Sequence, residues 1–594
     1  MSTKADPNAV YQNRLELHQR DLSGWESKHR LLAQLRLGVF VLGLLMLWLS
    51  SSLEWFSLYW LLVPLSSFVG LVIYHDVIQK RRTACQRLVR EYEKGLRRLR
   101  HEWQKQGQSG AGFMDANHLF AADLDLFGDG SLFERLCTCQ TSLGEHTLAE
   151  WLKTPVKPAT AIARQAAVRE LQPQLDFREQ WTVLAGQVDA CIHVQNLYAW
   201  VSGSGWTQTQ WLRVGMEACI LLSVIAMAGC SADWWSWTIL PWILLIQASY
   251  AFQLSRTSRP ILAQVESMQR ELSVLTHLFR AMGKLDCDSP LLRELKRQIQ
   301  TDADAAQQIE LLSYYVDRLA WRNNAMFAPL ALVLLWGTRH AFVIDAWRRQ
   351  NASHLPNWLH RLGEFDALLA LATYGYENPQ DVMPEWELNG PLYDGKELKH
   401  PLLSIDQCVS NDVTLDTDHQ LLIISGSNMS GKSTLLRTVG LNAVLAWTGA
   451  PVRAKSLRLS YFHIGATLRI QDSLQAGQSR FFAEIVRLSQ ILTLARNEPI
   501  LFLLDELLHG TNSHDRRLGA AGLLRGLIEL GSMGLATTHD LALTDLVNEI
   551  PHSLNAHFAD RWDGGSLEFD YHMRPGIVQH SNALALMRSV GLNV

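Results

Sequence analysis

The chain has 594 residues, a formal net charge of −4, and 48% apolar residues that include 21 tryptophans. This length allows two or three domains, and the near-neutral charge argues against a protein that coats nucleic acid through a broadly basic surface. The eight cysteines contain no C-x-x-C pair, so a reducing compartment is the better reading, and Cys137 and Cys139 read as packing residues.

Two apolar runs occupy the N-terminal region, at about 37–49 and 56–74, each close to the length needed to cross a hydrocarbon core. Arg30 and Arg36 precede the first, Lys80, Arg81, Arg82 and Arg87 follow the second, and the short link carries only Glu54. This places both ends of the hairpin on the cytoplasmic side. No cleavable signal peptide is expected, because a long polar segment precedes the first apolar run. The basic run from Lys80 to Arg100 reads as a headgroup and topology signal. Residues 1–110 therefore form an N-terminal membrane region.

Residues 144–155 and 162–171 have the pattern of an amphipathic helix pair. A second apolar pair follows at about 214–230 and 234–252, flanked by Arg213, Arg256 and Arg259, with Trp234, Trp235 and Trp237 at an interface-like position. Leu262 to Arg322 reads as long helices broken near Cys287-Asp288-Ser289-Pro290. Ala325 to Trp336 is below spanning length and is expected to be a core helix. Residues 111–380 are assigned to one helical domain carrying the second hairpin.

The chemistry is concentrated in residues 381–594. The apolar run Leu421 to Ile424 leads into Gly426, Ser427, Asn428, Met429, Ser430, Gly431, Lys432, Ser433 and Thr434, which satisfies G-x-x-x-x-G-K-S between a strand and a helix. Glycines allow backbone N–H groups to turn onto phosphates at a helix N-terminus, Lys432 reaches the terminal phosphates, and Ser433 suits Mg²⁺. The strand-like run Ile500 to Leu504 ends in Asp505, suited to the metal shell, and Glu506, suited to polarising water. Gly534 to Thr538 is a further strand ending in His539, where an imidazole could sense the γ-phosphate. Gly477-Gln478-Ser479 opens another helix, and one nucleotide needs only one phosphate loop, so this turn is expected to serve a second subunit.

The order of these motifs resembles the ATPase domain of the MutS mismatch-repair family, a branch of the ABC-type ATPases. The matching residues are Asn428-Met429 before Gly-Lys-Ser-Thr, Arg437, Asp505-Glu506 with His509-Gly510-Thr511-Asn512-Ser513, Ala536-Thr537-Thr538-His539 and Lys399-His400-Pro401. The resemblance implies an α/β P-loop domain, preceded here by an all-α lever domain with two transmembrane hairpins. It also implies ATP and Mg²⁺ as ligands and a homodimer in which Ser479 of one protomer completes the other's site. The catalytic group would be Glu506, His539 and Lys432. Residues 144–171 are similar to the family's helical core, and 567–576 with 581–591 to its closing hairpin and helix. Ser427, Ser430 and Arg480 stand where the family usually has Pro, Gly and Thr, and Leu507-Leu508 replaces Ile-Gly. No mismatch-reading domain with a Phe-x-Glu wedge precedes the core.

Two functions follow as expectations. One is a membrane-anchored, MutS-like ATPase that engages duplex or branched DNA. The other is an ATP-driven membrane machine acting on a protein or lipid partner. Both place an integral protein in a bacterial-type inner membrane with its ATPase domain in the cytoplasm.

Overall fold

The computed structural model describes residues 6–53, 57–186, 194–203, 210–300, 304–427, 429–469, 480–563 and 566–578. The first apolar run is the distal part of one continuous 47-residue helix, α1 (Pro7–Leu53), about 70 Å long at the helical rise. It returns as α2 (Leu62–Leu99). The two are antiparallel, since Tyr11 meets Tyr92, His29 meets His75 and Phe40 meets Phe68 at ring separations of 5.2, 4.7 and 6.2 Å. Toward the tip, Leu37, Phe40, Leu44 and Trp48 remain exposed.

The root of this hairpin is polar and buried. Arg98 donates from Nε and Nη2 to the Glu377 carboxylate at 2.8–3.0 Å, and the Tyr11 hydroxyl reaches the same carboxylate at 3.4 Å. Arg14, His18 and Tyr92 converge on Glu179.

The second apolar pair forms α3 (Gln210–Ser231) and α4 (Ile239–Ser267). By length and composition, α1, α2 and α3 are long and apolar enough to cross a membrane, whereas the apolar part of α4 is shorter. Three further helices follow, Gln269–Lys284, Pro290–Gln300 and Ala305–Ala320; the first two separate at the expected Cys287–Pro290 position, and the third begins anew at Ala305, capped by Asp304. Ala325 to Trp336 is not a core helix. It holds only a six-residue helix, Ala328–Val333, and exposes Met326, Leu330 and Leu332. Pro329 and the left-handed Leu335 (φ 46°) break the apolar run, so composition alone overstated its helicity. The helical region ends in α5 (Leu355–Glu377), which carries Glu377 at its last position.

Two sheets follow. The smaller has four strands, ordered Glu385–Trp386, Ser456–Leu459, Tyr393–Leu398, Asn411–Leu415. The larger comprises β1 (Leu421–Ser425), β2 (His463–Thr467), β3 (Ile500–Leu504), β4 (Met533–Thr538), β5 (Ser553–Asp563) and β6 (Ser566–Pro575) in the order β6-β5-β1-β4-β3-β2. Every pair is parallel except β5 with β6. Strands β1, β3 and β4 are buried along their full length, as expected where helices cover both faces of a parallel sheet. Helix α6 (Lys432–Thr448) follows β1, α7 (Arg480–Ala495) follows β2 and α8 (Ser513–Glu529) follows β3. Residues 581–591, read as a closing helix, lie outside the described residues.

Removing one partner of a buried ion pair leaves an uncompensated charge, and this typically costs about 3–5 kcal/mol. Glu377→Ala should therefore destabilise the detergent-solubilised protein by an amount in that range, read from denaturant titration. A change below ~1 kcal/mol, the usual value of an exposed pair, would show that the hairpin root does not depend on this contact.

Candidate nucleotide site

The parallel register aligns the C-terminal ends of β1, β3 and β4, with Ser425 opposite Thr538 and Leu504 opposite Ala536. The phosphate loop, the acidic pair and His539 therefore emerge at one edge, where α/β sheets bind their ligands. Gly426 (φ 151°) and Gly431 (φ 102°) sit on the left-handed side of backbone space, and a Cβ at Gly426 would meet the Phe558 carbonyl at 3.1 Å. Met429 is also left-handed (φ 73°) and exposed. Asn428 lies outside the described residues.

Lys432 is buried and folds back so that Nζ donates to the carbonyls of Gly426 (2.9 Å) and Ser427 (2.7 Å). Burial lowers its pKa, opposed by the nearby Glu506 and Asp505 carboxylates. The Ser433 hydroxyl lies 2.5 Å from Asp505 Oδ2. Thr434 occupies the first turn of α6. The buried hydroxyls of Ser427 and Ser430 have no hydrogen-bond partner among the described residues. Orphaned donors inside a glycine loop at a helix N-terminus fit a phosphate, and a Ser433–Asp505 oxygen pair fits Mg²⁺.

Glu506 and Leu508 both adopt left-handed backbone, with φ of 49° and 54°. Such residues persist only where their surroundings hold them. Here the Thr537 hydroxyl accepts from the Glu506 N–H at 3.1 Å and donates to Asp505 Oδ1, while Glu484 accepts from the Leu508 N–H at 2.7 Å. His539 Nδ1 is 3.5 Å from Glu506 Oε1, and its ring packs edge-on against His509. The structure thus gathers Lys432, Ser433, Asp505, Glu506 and His539 around one point. Ser479 lies outside the described residues.

Thr537 and Glu484 were missed as site residues. Their signals were available in the sequence as a hydroxyl within an apolar strand and an acid within the apolar run Phe481 to Ile485. Tyr571 was missed too. It holds a left-handed backbone (φ 54°), its carbonyl accepts from Asn411 Nδ2, and its ring would lie 3.1 Å from a Cβ at Gly431. Together with Leu398, His400, Val409 and Phe558 it helps enclose a cavity of about 680 Å³ reaching from the smaller sheet to the phosphate loop.

The parallel sheet, phosphate loop and acidic pair define an α/β ATPase-type domain of the P-loop class. Residues 422–593 match the family model for MutS domain V. The chain is 27% identical to the DNA mismatch repair protein MutS of Myxococcus xanthus over 517 residues, covering 78% of this chain and 56% of that protein. It is 32% identical to the MutS of Natronomonas pharaonis over 235 residues, covering 39% of this chain and 27% of that one. The corresponding match in Exiguobacterium is 34% over 221 residues, covering 36% and 26%. The C-terminal part of the chain is thus similar to MutS domain V, and the chain spans between about a quarter and just over half the length of these relatives.

Burial and the neighbouring Arg437 and Arg453 push the His400 pKa down from 6.5 to about 4. The folded state therefore holds this imidazole neutral while the unfolded chain takes up a proton at higher pH. The contribution is complete above pH 6.5 and is lost as pH falls toward 4. A shift of this size corresponds to ~3 kcal/mol. Denaturant titrations should show stability falling across that window, with a shallower fall for His400→Asn. Identical slopes for the two proteins would contradict the assignment.

Proposed function

We propose that the chain is an ATP-hydrolysing switch, anchored in a membrane by two helical hairpins and working as a homodimer. The observation that carries the enzymatic part is the Ser433–Asp505–Thr537–Glu506 cluster at the mouth of the phosphate loop. In this reading Ser427, Ser430 and the loop N–H groups bind the phosphates, and Lys432 exchanges its two carbonyl contacts for phosphate oxygens. Ser433 and Asp505 would hold Mg²⁺, which supplies charge neutralisation at the phosphates. Glu506, oriented by the Thr537 hydroxyl, polarises the attacking water, and His539 steadies that carboxylate. Ser479 of one protomer completes the partner's site. The division proposed is a membrane region over 1–110, a helical lever domain over 111–380 and the ATPase domain over 381–594.

Membrane insertion is supported by the exposed apolar lengths of α1, α2 and α3 and by basic residues at the cytoplasmic ends of both hairpins. Coupling is supported by a buried polar path. The Arg453 N–H donates to Asn442 Oδ1 on α6, its guanidinium lies 3.7 Å from Asp381, and Asp381 accepts from Tyr374 on α5, one turn before the Glu377 that holds Arg98. We infer that closing the nucleotide site moves α5, and with it the hairpin root. DNA engagement is the reading drawn from relatives named for mismatch repair. A protein or lipid partner is the reading favoured by the membrane hairpins.

Lys432→Ala should abolish nucleotide binding. Glu506→Gln should bind ATP but slow hydrolysis roughly 10²–10⁴-fold, the usual contribution of a positioned acid–base group; normal turnover would remove Glu506 from the chemistry. Mixed dimers of Ser479→Arg and Lys432→Ala protomers should retain one intact site, and no recovery above either variant alone would count against sharing.

Topology is tested by single cysteines in a cysteine-free background. Ser52→Cys and Ala232→Cys should react with impermeant maleimide on intact cells, and Ser513→Cys only after lysis. External labelling at position 513 would overturn the cytoplasmic placement.

A further inference from the structure

We propose that residues 322–335 form a re-entrant element that enters the bilayer beside α3 and α4 and turns its apolar face to lipid hydrocarbon, an inference that rests on the membrane reading of those helices. The segment leaves and returns at one level, because the Trp321 and Trp336 rings stack 6.3 Å apart with their planes 3° from parallel. Between them Met326 is 93% exposed and Leu330 and Leu332 are each 49% exposed. A six-residue helix of this character has little stability of its own in water.

The helix Ala328–Val333 also ends within this excursion, and terminal carbonyls have no partner inside their own helix. In hydrocarbon no water would satisfy them, so irregular backbone is tolerated there only where protein supplies the bond. Gln247 supplies it. Its Nε2 donates to the Val333 carbonyl at 2.6 Å and approaches the Leu332 carbonyl at 3.5 Å, while its Oε1 accepts from Ser223 on α3. Gln247 lies in the apolar part of α4 and is 1% exposed, a costly position for an amide unless its hydrogen bonds are made. The short helix packs against α3, so its apolar surface continues that of the hairpin.

The charges fit a lipid partner. Arg318 precedes the segment, Arg322 opens it and Arg339 follows it, and Arg213 and Arg256 flank the neighbouring hairpin. Arg322 pairs with Glu266 at the cytoplasmic end of α4, at 2.9 Å. Arg318 lies over the Tyr314 and Trp321 rings, an arrangement of aromatic and basic groups suited to the headgroup level.

The test places bimane on Met326→Cys, or on Leu222→Cys of α3 as the hairpin control, in full-length protein lacking its eight native cysteines and reconstituted into phosphatidylcholine vesicles. Lipids carrying a doxyl group on the acyl chain should quench both positions severalfold, and aqueous iodide should quench neither. Strong lipid quenching at 222 combined with iodide quenching at 326 would overturn the re-entrant element and leave the hairpin intact. Shielding of 326 from both quenchers would mean that a second copy or another protein covers it, which also overturns the proposal. Absence of lipid quenching at 222 would remove the membrane reading itself, and the re-entrant element with it.

Discussion

Parallel register between β1, β4 and β3 is the constraint from which the candidate site follows. Because these strands end at one level, a loop after β1, two carboxylates after β3 and a threonine inside β4 reach one another without long side chains. The register is enforced by burial, since all three strands are buried on both faces and a one-residue slip would misalign every contact at the edge. The left-handed backbone at Glu506 is tolerable within this frame because Thr537 accepts its N–H. A hydroxyl in β4 thereby holds the backbone at Glu506 and the carboxylate of Asp505, both following β3.

The same domain shares an apolar core with the helical region, and a buried polar chain is added to it at one junction. Asn442 on α6, Arg453, Asp381 and Tyr374 lead to the end of α5, where Glu377 grips Arg98. Buried polar groups of this kind are held by geometry and are costly to leave half satisfied. A chain of such contacts is what would have to rearrange if the proposed switch passes from the nucleotide to the apolar hairpin. The α1–α2 hairpin is well suited to receive it, because its root and tip belong to uninterrupted helices.

The P-loop core was legible in the sequence because its signals are local. A five-residue apolar run ending in Asp505-Glu506, and a glycine loop between a strand and a helix, specify local structure at short range. The long-range contacts were not legible. The Thr537 hydroxyl stands out within an apolar strand, but nothing in the sequence pairs it with Asp505 and Glu506, and nothing near Glu377 points to Arg98, 279 positions away. The apolar runs fall within two helical hairpins but do not give the length of the helices, because α1 continues through polar residues that the body of the protein supports. Ala325 to Trp336 misled for a related reason. Its composition suits a core helix, while Pro329 and the strained Leu335 leave Met326, Leu330 and Leu332 facing outward.

The central claim is that nucleotide binding and the apolar hairpins form one mechanical unit. The most direct measurement is the distance between spin labels on Ser231→Cys in the two protomers of the bilayer-reconstituted dimer, with the native cysteines replaced. Distances recorded without nucleotide should differ from those of the ATP-bound Glu506→Gln protein. Identical distributions in the two states would contradict the account and leave the hairpins as anchors alone.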